Sequence, residues 1–99
     1  MNILILGSGI VGANLAKKLS EQGKNVFLLD DDVNELKNLS ERFDIKTIYD
    51  DPLNPSFYKN FESKIDFFIA VTRSEEKNII TSKFAKEFLK VDKSIARVR

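Results

Sequence analysis

The sequence of 99 residues predicts an α/β fold with a doubly wound parallel β-sheet. Short apolar runs alternate with longer amphipathic stretches in the order βαβαβαβαβ, and the first run leads directly into a glycine-rich turn. Regular alternation of this kind indicates a parallel sheet with helices on both faces, and the right-handed crossover rule favours the doubly wound topology. The length suits one domain over residues 1–99.

The first βαβ unit begins with Ile3–Leu6, which is apolar on both faces and therefore suits a central parallel strand. An amphipathic helix follows from about Ile10 to Gln22. Its apolar stripe consists of three residues spaced four apart, namely Val11, Leu15 and Leu19. Gly23 stands where a left-handed residue often ends a helix, and Val26–Leu29 forms the second strand.

The second helix is predicted over Val33–Phe43. Asp32, followed three residues later by Glu35, has the spacing of an acidic capping box and marks the start of this helix. Ile45–Ile48 is then a short third strand. The second and third strands are therefore joined by a capped amphipathic helix.

The third helix is predicted to open at Asn54, an N-cap residue followed by Pro55 at the first helical position, and to run through Phe61. Ile65–Val71 follows as the fourth strand. This apolar run is far shorter than a membrane span and suits a buried parallel strand.

The last helix is predicted to start after Ser74, which precedes two acidic residues, and to end near Lys90. Three apolar side chains are expected to point inward from it: Ile80, Phe84 and Phe88. Ser94–Val98 is the fifth strand.

Composition excludes several chemistries. The chain has no Cys and no His, which removes disulfides, zinc sites with thiol or imidazole ligands, and Ser-His-Asp triads. Lys plus Arg is 16 and Asp plus Glu is 15, so a net charge of +1 provides no general attraction to nucleic acid or anionic lipid. No signal peptide or membrane span is evident, and we expect a cytoplasmic protein with no nucleic-acid partner and no direct membrane insertion.

The segment Gly7–Gly12 reads G-x-G-x-x-G directly between a predicted strand and a predicted helix. In Rossmann-like folds the first glycine permits the turn, the second lets the backbone approach a pyrophosphate, and the third allows close helix–strand packing. The alternative is a glycine-rich turn required only for packing. The whole loop is a candidate phosphate site, consisting of Gly7, Ser8, Gly9, Ile10, Val11 and Gly12.

Asp30 follows the second strand, 18 positions after Gly12, close to the roughly 20 expected for the carboxylate that binds the adenosine ribose. Asp31 is a further candidate contact, although capping of the next helix explains Asp31 and Asp32 as well. Because three carboxylates would face a 2′-phosphate, NAD is favoured over NADP.

Asp50 and Asp51 follow the third strand, which would gather five aspartates at one edge of the sheet. Such a cluster suits a hard cation, but aspartate is also a common turn residue, and we expect turns rather than a dedicated metal site. Asp51 is kept as a candidate nucleotide contact.

Several motifs together resemble the N-terminal domain of the TrkA potassium-uptake regulators, the RCK or KTN family, over essentially the whole chain. The motifs are Gly7–Gly12, Leu29–Asp32, Asp50-Asp51, Ala70–Thr72 with Asn78, and Ala96–Arg99. By this resemblance Asp51 would lie near the adenine, Thr72 and Asn78 on the phosphate side, and Arg97 and Arg99 at the end of the fifth strand.

The resemblance implies a regulatory subunit at the inner membrane that binds NAD(H), or ATP and ADP as in some relatives. It would act on a membrane potassium transporter of the Trk or Ktr type and form homodimers or higher oligomers. Ile10 stands where ATP-type relatives often carry an arginine, which favours NAD(H). After the third strand, Pro52-Leu53 stands where the family usually has a small residue and a residue with a hydroxyl group. Family domains continue into a sixth strand and a dimer-forming helix, so the five-stranded chain is expected to be truncated.

Two other functions are open. A fragment of an NAD-dependent oxidoreductase is disfavoured, because neither Tyr49 nor Tyr58 is followed four residues later by Lys, and we predict no enzymatic activity. A purely structural interaction domain would use an aromatic surface, comprising Phe57, Tyr58, Phe61, Phe67 and Phe68. Aromatic residues at this spacing more often belong to a core.

Overall fold

The computed structural model describes residues 1–98 and has a five-stranded, wholly parallel sheet in the order β3-β2-β1-β4-β5. The strands are β1 Asn2–Leu6, β2 Asn25–Asp30, β3 Lys46–Tyr49, β4 Phe67–Ala70 and β5 Lys93–Ala96. The helices are α1 Ile10–Glu21, α2 Val33–Arg42, α3 Pro55–Asn60 and α4 Glu75–Phe84, the last extended by a π-helical turn, Ala85–Leu89. The predicted doubly wound α/β fold is confirmed.

The sheet aligns the carboxyl ends of its three central strands. Leu6 at the end of β1 is opposite Leu29 of β2 on one side and Ala70 of β4 on the other. The strand order reverses between β1 and β4, because β2 and β3 lie to one side of β1 whereas β4 and β5 lie to the other. Ligands of doubly wound folds bind at this switch point.

Alternate side chains of the strands fill two separate cores. On one face, Ile3, Ile5 and Leu28 pack with Ala16 of α1 and Leu36 and Leu39 of α2. On the other face the core is larger and more aromatic, and its strand and helix residues include Leu4, Leu6, Phe27, Tyr58, Phe68 and Ala85. The strands that are apolar on both faces in the sequence are therefore buried on both faces.

The predicted helix starts are confirmed by local hydrogen bonds. Asp32 Oδ1 accepts from Glu35 N at 3.1 Å, and Asn54 Oδ1 accepts from Ser56 N at 3.0 Å. The Ser74 hydroxyl caps α4 by accepting from the main chain of its first turn. Within residues 1–98, three of the four α-helices thus begin with a side-chain cap.

The prediction for the inward face of α4 was wrong in one respect. Ile80 is 43% exposed, whereas Asn78, Thr81 and Ala85 are buried. At about 100° per residue, Ile80 lies roughly a third of a turn from the line through those three residues. Phe84 lies between these directions and packs against the core only in part.

All five strands differ from their predicted bounds by at least one residue, and β4 and β5 differ most. β4 is shorter than predicted, since Ile65 is buried but precedes the strand and Val71 follows it. β5 starts one residue earlier than predicted and ends at Ala96, although Arg97 N still donates to Ala70 O at 2.9 Å. Both differences arise at strand ends, where pairing with the neighbour determines the boundary.

Candidate functional site

The glycine loop joins the end of β1 to the start of α1. Gly7 adopts φ +114°, and its main chain rests so closely on the Val71–Thr72 peptide that an added Cβ would lie 3.2 Å from Thr72 N. An added Cβ on Gly12 would overlap the carbonyl oxygen of Gly7. The first and third glycines are therefore required by the turn and by close packing, as predicted.

Gly9 differs from the other two. It has an ordinary φ of −66°, and a Cβ built on it would meet no atom of residues 1–98 within 4 Å. Neither backbone conformation nor packing among the described residues requires a glycine here. The missing side chain instead leaves open space in front of the first turn of α1.

The first turn of α1 faces this open space. The first amide groups of an α-helix have no partner within the helix, and they carry the positive end of its dipole. Among the described residues no side chain caps α1, in contrast to α2, α3 and α4. These amides suit a phosphate group.

Asp30 is bound to the loop by its carboxylate. Oδ2 accepts from Ser8 N at 2.6 Å and from the Ser8 hydroxyl at 2.7 Å, while Oδ1 accepts from Asp31 N at 2.7 Å and Asp32 N at 3.0 Å. Burial raises the pKa of Asp30, but the hydrogen bonds from Ser8 and Asp32 outweigh burial and hold the pKa below its usual value. The carboxylate is therefore ionised at neutral pH.

A cleft of about 670 Å³ runs between these groups. Seven of the predicted site residues line it: Gly7, Ser8, Gly9, Ile10, Asp30, Asp31 and Thr72. Four basic residues that the sequence analysis did not select also line it: Lys17, Arg42, Arg73 and Lys77. The cleft thus combines the ribose carboxylate expected at Asp30 with cations on other walls.

Arg73 and Lys77, which lie on the chain just after Thr72, line the cleft together with Thr72 and the glycine loop. Arg73 lies in the stretch directly after β4. Because ligands of doubly wound folds bind at the carboxyl ends of the strands, its position in the sequence could have identified Arg73. Lys77 is a lysine within a predicted helix, and no pattern in the sequence distinguishes it from lysines on a solvent-exposed helix face.

Asp51 forms a turn of its own. Its Oδ1 accepts from Leu53 N at 3.0 Å and its carbonyl accepts from Asn54 N at 3.1 Å. The adjacent hollow near α3 is lined by Asp50, Phe57 and others rather than by Asp51. Within residues 1–98, no three acidic side chains lie close enough together to hold a metal ion.

The remaining predicted residues do not line the main cleft. Val11 is 43% exposed, and Gly12, the last residue of the loop, is buried. Asn78 is buried within hydrogen bonds to Thr72 and Arg97. Arg97 lines a separate small hollow with Thr72 and Glu75, and Arg99 lies outside the described residues.

The fold and loop define a Rossmann-like domain with the glycine fingerprint that is typical of dinucleotide-binding proteins. The family model described as the TrkA-N domain matches residues 3–99, and the chain belongs to this family.

Relatives in the family support the match. The chain is 30% identical to the Trk system potassium uptake protein TrkA of Haemophilus influenzae over 100 residues, which is 100% of the chain and 22% of that protein. It is 34% identical to TrkA of Halomonas elongata with the same coverage. The chain therefore spans about a fifth of the length of these relatives.

Solved structures share the fold. The NAD(P)-binding domain of an exopolyphosphatase-related protein from Archaeoglobus fulgidus superposes with a TM-score of 0.82 at 20% identity, covering 94% of this chain and 70% of that one. UDP-glucose 4-epimerase from Bifidobacterium longum, in complex with NAD⁺ and UDP, gives 0.71 at 16% identity, covering 91% and 33%.

Proposed function

We propose that the chain is a nucleotide-sensing domain that binds NAD(H) in the cleft and regulates potassium uptake. The observation that carries the proposal is Gly9, because its missing side chain opens space that neither packing nor backbone strain among the described residues requires. Gly9 and Ile10, at the uncapped start of α1, line the cleft together with Asp30. A pyrophosphate and a ribose have these requirements.

In this proposal the pyrophosphate rests on the first amides of α1. The ribose hydroxyls donate to Asp30 in place of a donor that its part-buried carboxylate already has, such as the Ser8 hydroxyl. The low pKa of Asp30 keeps it an acceptor at neutral pH. Asp31 and Asp32 beside it repel a 2′-phosphate, which favours NAD(H) over NADP(H). The positions of Asp51 and Asn78 give them no direct part in this arrangement.

ATP or ADP is the second candidate ligand. Arg73 and Lys77 line the cleft together with the glycine loop, and they provide positive charge that Ile10 does not. A chain of phosphates beyond the adenosine would be compensated by these side chains.

A catalytic role is not proposed. Tyr58, one of two tyrosines, is buried and donates to Pro52 O at 2.7 Å. Burial, with a smaller contribution from Asp51 and Asp50, raises the pKa of Tyr58 above its usual value, so this phenol is a poor proton donor. Phe57, Phe61 and Phe68 belong to the core around it rather than to a partner surface.

The regulatory part of the proposal rests on the relatives, which are named as Trk system potassium uptake proteins. A membrane transporter of the Trk or Ktr type is the proposed partner, with nucleotide binding changing the geometry between paired domains at the cytoplasmic side of the inner membrane. A ligand shifts such an equilibrium only through different affinities for the two states. Within residues 1–98, no helix combines the length and apolar character of a membrane span.

The test is a calorimetric titration of the chain with NADH, NAD⁺, ATP, ADP and NADPH, with thermal shift as a second readout. We expect NADH or NAD⁺ to bind more tightly than NADPH and to raise the melting temperature. Tighter binding of ATP or ADP would favour the second candidate. The absence of binding by all five nucleotides would overturn the proposal.

A further inference from the structure

Asn78 is a buried polar residue whose side-chain amide is fully engaged within the protein. It is 1% exposed, and its Oδ1 accepts from Thr72 N at 2.9 Å and from the Thr72 hydroxyl at 2.7 Å. Its Nδ2 donates to Thr72 O at 3.1 Å and to Arg97 O at 3.0 Å. A primary amide has two acceptor positions and two donors, so all four are used.

This engagement separates Asn78 from the residues that face the cleft. A ligand atom could reach its amide only by displacing one of the four bonds, each of which is costly to lose at a buried group. Thr72, in contrast, lines the cleft directly. The amide of Asn78 therefore acts on the position of Thr72 rather than on a ligand.

Thr72 in turn supports the glycine loop. The Val71–Thr72 peptide packs against Gly7 so closely that an added Cβ on Gly7 would lie 3.2 Å from Thr72 N. Thr72 N is the same group that donates to Asn78. A movement of the loop when a phosphate binds therefore changes the environment of a bond made by Asn78.

The other end of the network is the end of β5. This strand pairs only with β4 in the described sheet, at its edge. The main chain of Arg97 is held at both its amide and its carbonyl group, because Arg97 N donates to Ala70 O at 2.9 Å and Arg97 O accepts from Asn78. One side chain thus joins the cleft wall at Thr72 to the point where the chain leaves the sheet.

We infer that Asn78 is a positioning residue that couples the nucleotide site to the end of β5 through Thr72 and Arg97. The inference rests on the proposed nucleotide binding and adds to it a route by which occupancy of the cleft reaches the edge of the sheet. The coupling is a property of the amide, because its Nδ2 donates to the carbonyls of both Thr72 and Arg97 while its Oδ1 accepts from Thr72.

The experiment measures amide hydrogen exchange of the chain with and without saturating NADH, together with calorimetric binding. In the wild type we expect NADH to slow exchange at Thr72 and Arg97 by about threefold or more. In Asn78→Ala we expect the effect at Arg97 to disappear and NADH to bind about tenfold more weakly. A merely structural residue would change stability without removing the response at Arg97.

Ser94→Ala is the matched control. The Ser94 hydroxyl donates to Ser82 O at 2.7 Å, so it also joins α4 to β5 but does not contact Thr72. We expect this variant to keep both the affinity for NADH and the NADH-dependent protection at Arg97. Loss of the protection in Ser94→Ala to the same degree as in Asn78→Ala would overturn the assignment to Asn78.

The failures of the two proposals are distinguishable. If the wild type binds NADH without a change in exchange at Arg97, or if Asn78→Ala retains that change, the coupling is refuted while the proposed function stands. If no nucleotide binds the wild type, both are refuted. The wild-type comparison needs no variant, so it can refute the coupling even where Asn78→Ala does not fold.

Discussion

The hydroxyl of Ser8 donates a 2.7 Å hydrogen bond to Oδ2 of Asp30, and the main-chain amide of Ser8 donates to the same oxygen at 2.6 Å. The second residue of the glycine loop and the carboxylate at the end of β2 therefore form one unit, although 22 positions separate them in the sequence. Two hydrogen bonds therefore join the expected phosphate and ribose parts of the candidate site.

The first prediction concerns the pH dependence of stability. Because the pKa of Asp30 is lowered below the ordinary value of 3.8, its ionisation stabilises the fold above that value, and the contribution is lost as the pH falls through the lower, folded-state pKa. The free energy of unfolding in urea should be larger for the wild type than for Asp30→Asn at pH 5, and this difference should shrink as the pH is lowered further. Asp44→Asn, which removes an exposed carboxylate, is the control for the loss of one negative charge.

Ser8→Ala adds a check on the cause of this effect. It removes the hydroxyl donor and leaves the main-chain donor in place, so the pKa of Asp30 should rise toward its usual value. Titration of the Asp30 carboxyl carbon by NMR measures the change directly. An unaltered titration curve in Ser8→Ala would show that the hydroxyl does not set this pKa.

The second prediction compares two glycines of the loop. Gly9→Ala should change the free energy of unfolding by less than about 0.5 kcal/mol, since its Cβ meets no atom of residues 1–98, but it should weaken NADH binding at least about tenfold. Gly12→Ala should lower the free energy of unfolding by about 3 kcal/mol or more, because the added Cβ would overlap the carbonyl oxygen of Gly7. Urea unfolding and calorimetry test both variants, and undiminished NADH binding by a folded Gly9→Ala would argue against a phosphate at this position.

The third prediction concerns the ligand contact of Asp30. Asp30→Ala should weaken the binding of NADH by about 1.5–3 kcal/mol, which is the range for a hydrogen bond to a charged group. It should weaken the binding of inorganic pyrophosphate less. Competition of the two ligands in calorimetry gives both affinities. Equal losses for NADH and pyrophosphate would mean that Asp30 acts on the loop rather than on the ribose.

The fourth prediction concerns the end of the π-helical turn. Lys90 has φ 56°, a left-handed conformation that favours glycine and costs other residues roughly 1 kcal/mol. Lys90→Gly should therefore raise the free energy of unfolding by about 0.5–1 kcal/mol. Lys93→Gly, in β5, should lower it, because glycine weakens a strand; destabilisation of both variants alike would contradict the prediction.

Features that depend on neighbouring residues in the sequence were predicted well. The caps at Asp32, Asn54 and Ser74 bond to main-chain amides two or three residues away, and the alternation of apolar runs reflects burial of both sheet faces. The order of the elements and the glycine loop followed from such short-range patterns. Strand ends and the phase of α4 around Ile80 were less accurate, because the partners that determine them lie elsewhere in the chain.

What the sequence determined by itself was the class of fold, the loop at Gly7–Gly12 and the carboxylate at Asp30, because each depends on local periodicity, turn geometry or a fixed spacing. Only the tertiary structure showed that the side chains of Asn78 and Asp51 bond to the protein's own main chain, and only it brought Arg73 and Lys77 to the cleft. The sequence does not distinguish a side-chain amide or carboxylate that faces a ligand from one that bonds to the protein's own main chain. The difference is made by which strand ends become neighbours, and that is set by packing across the whole sheet.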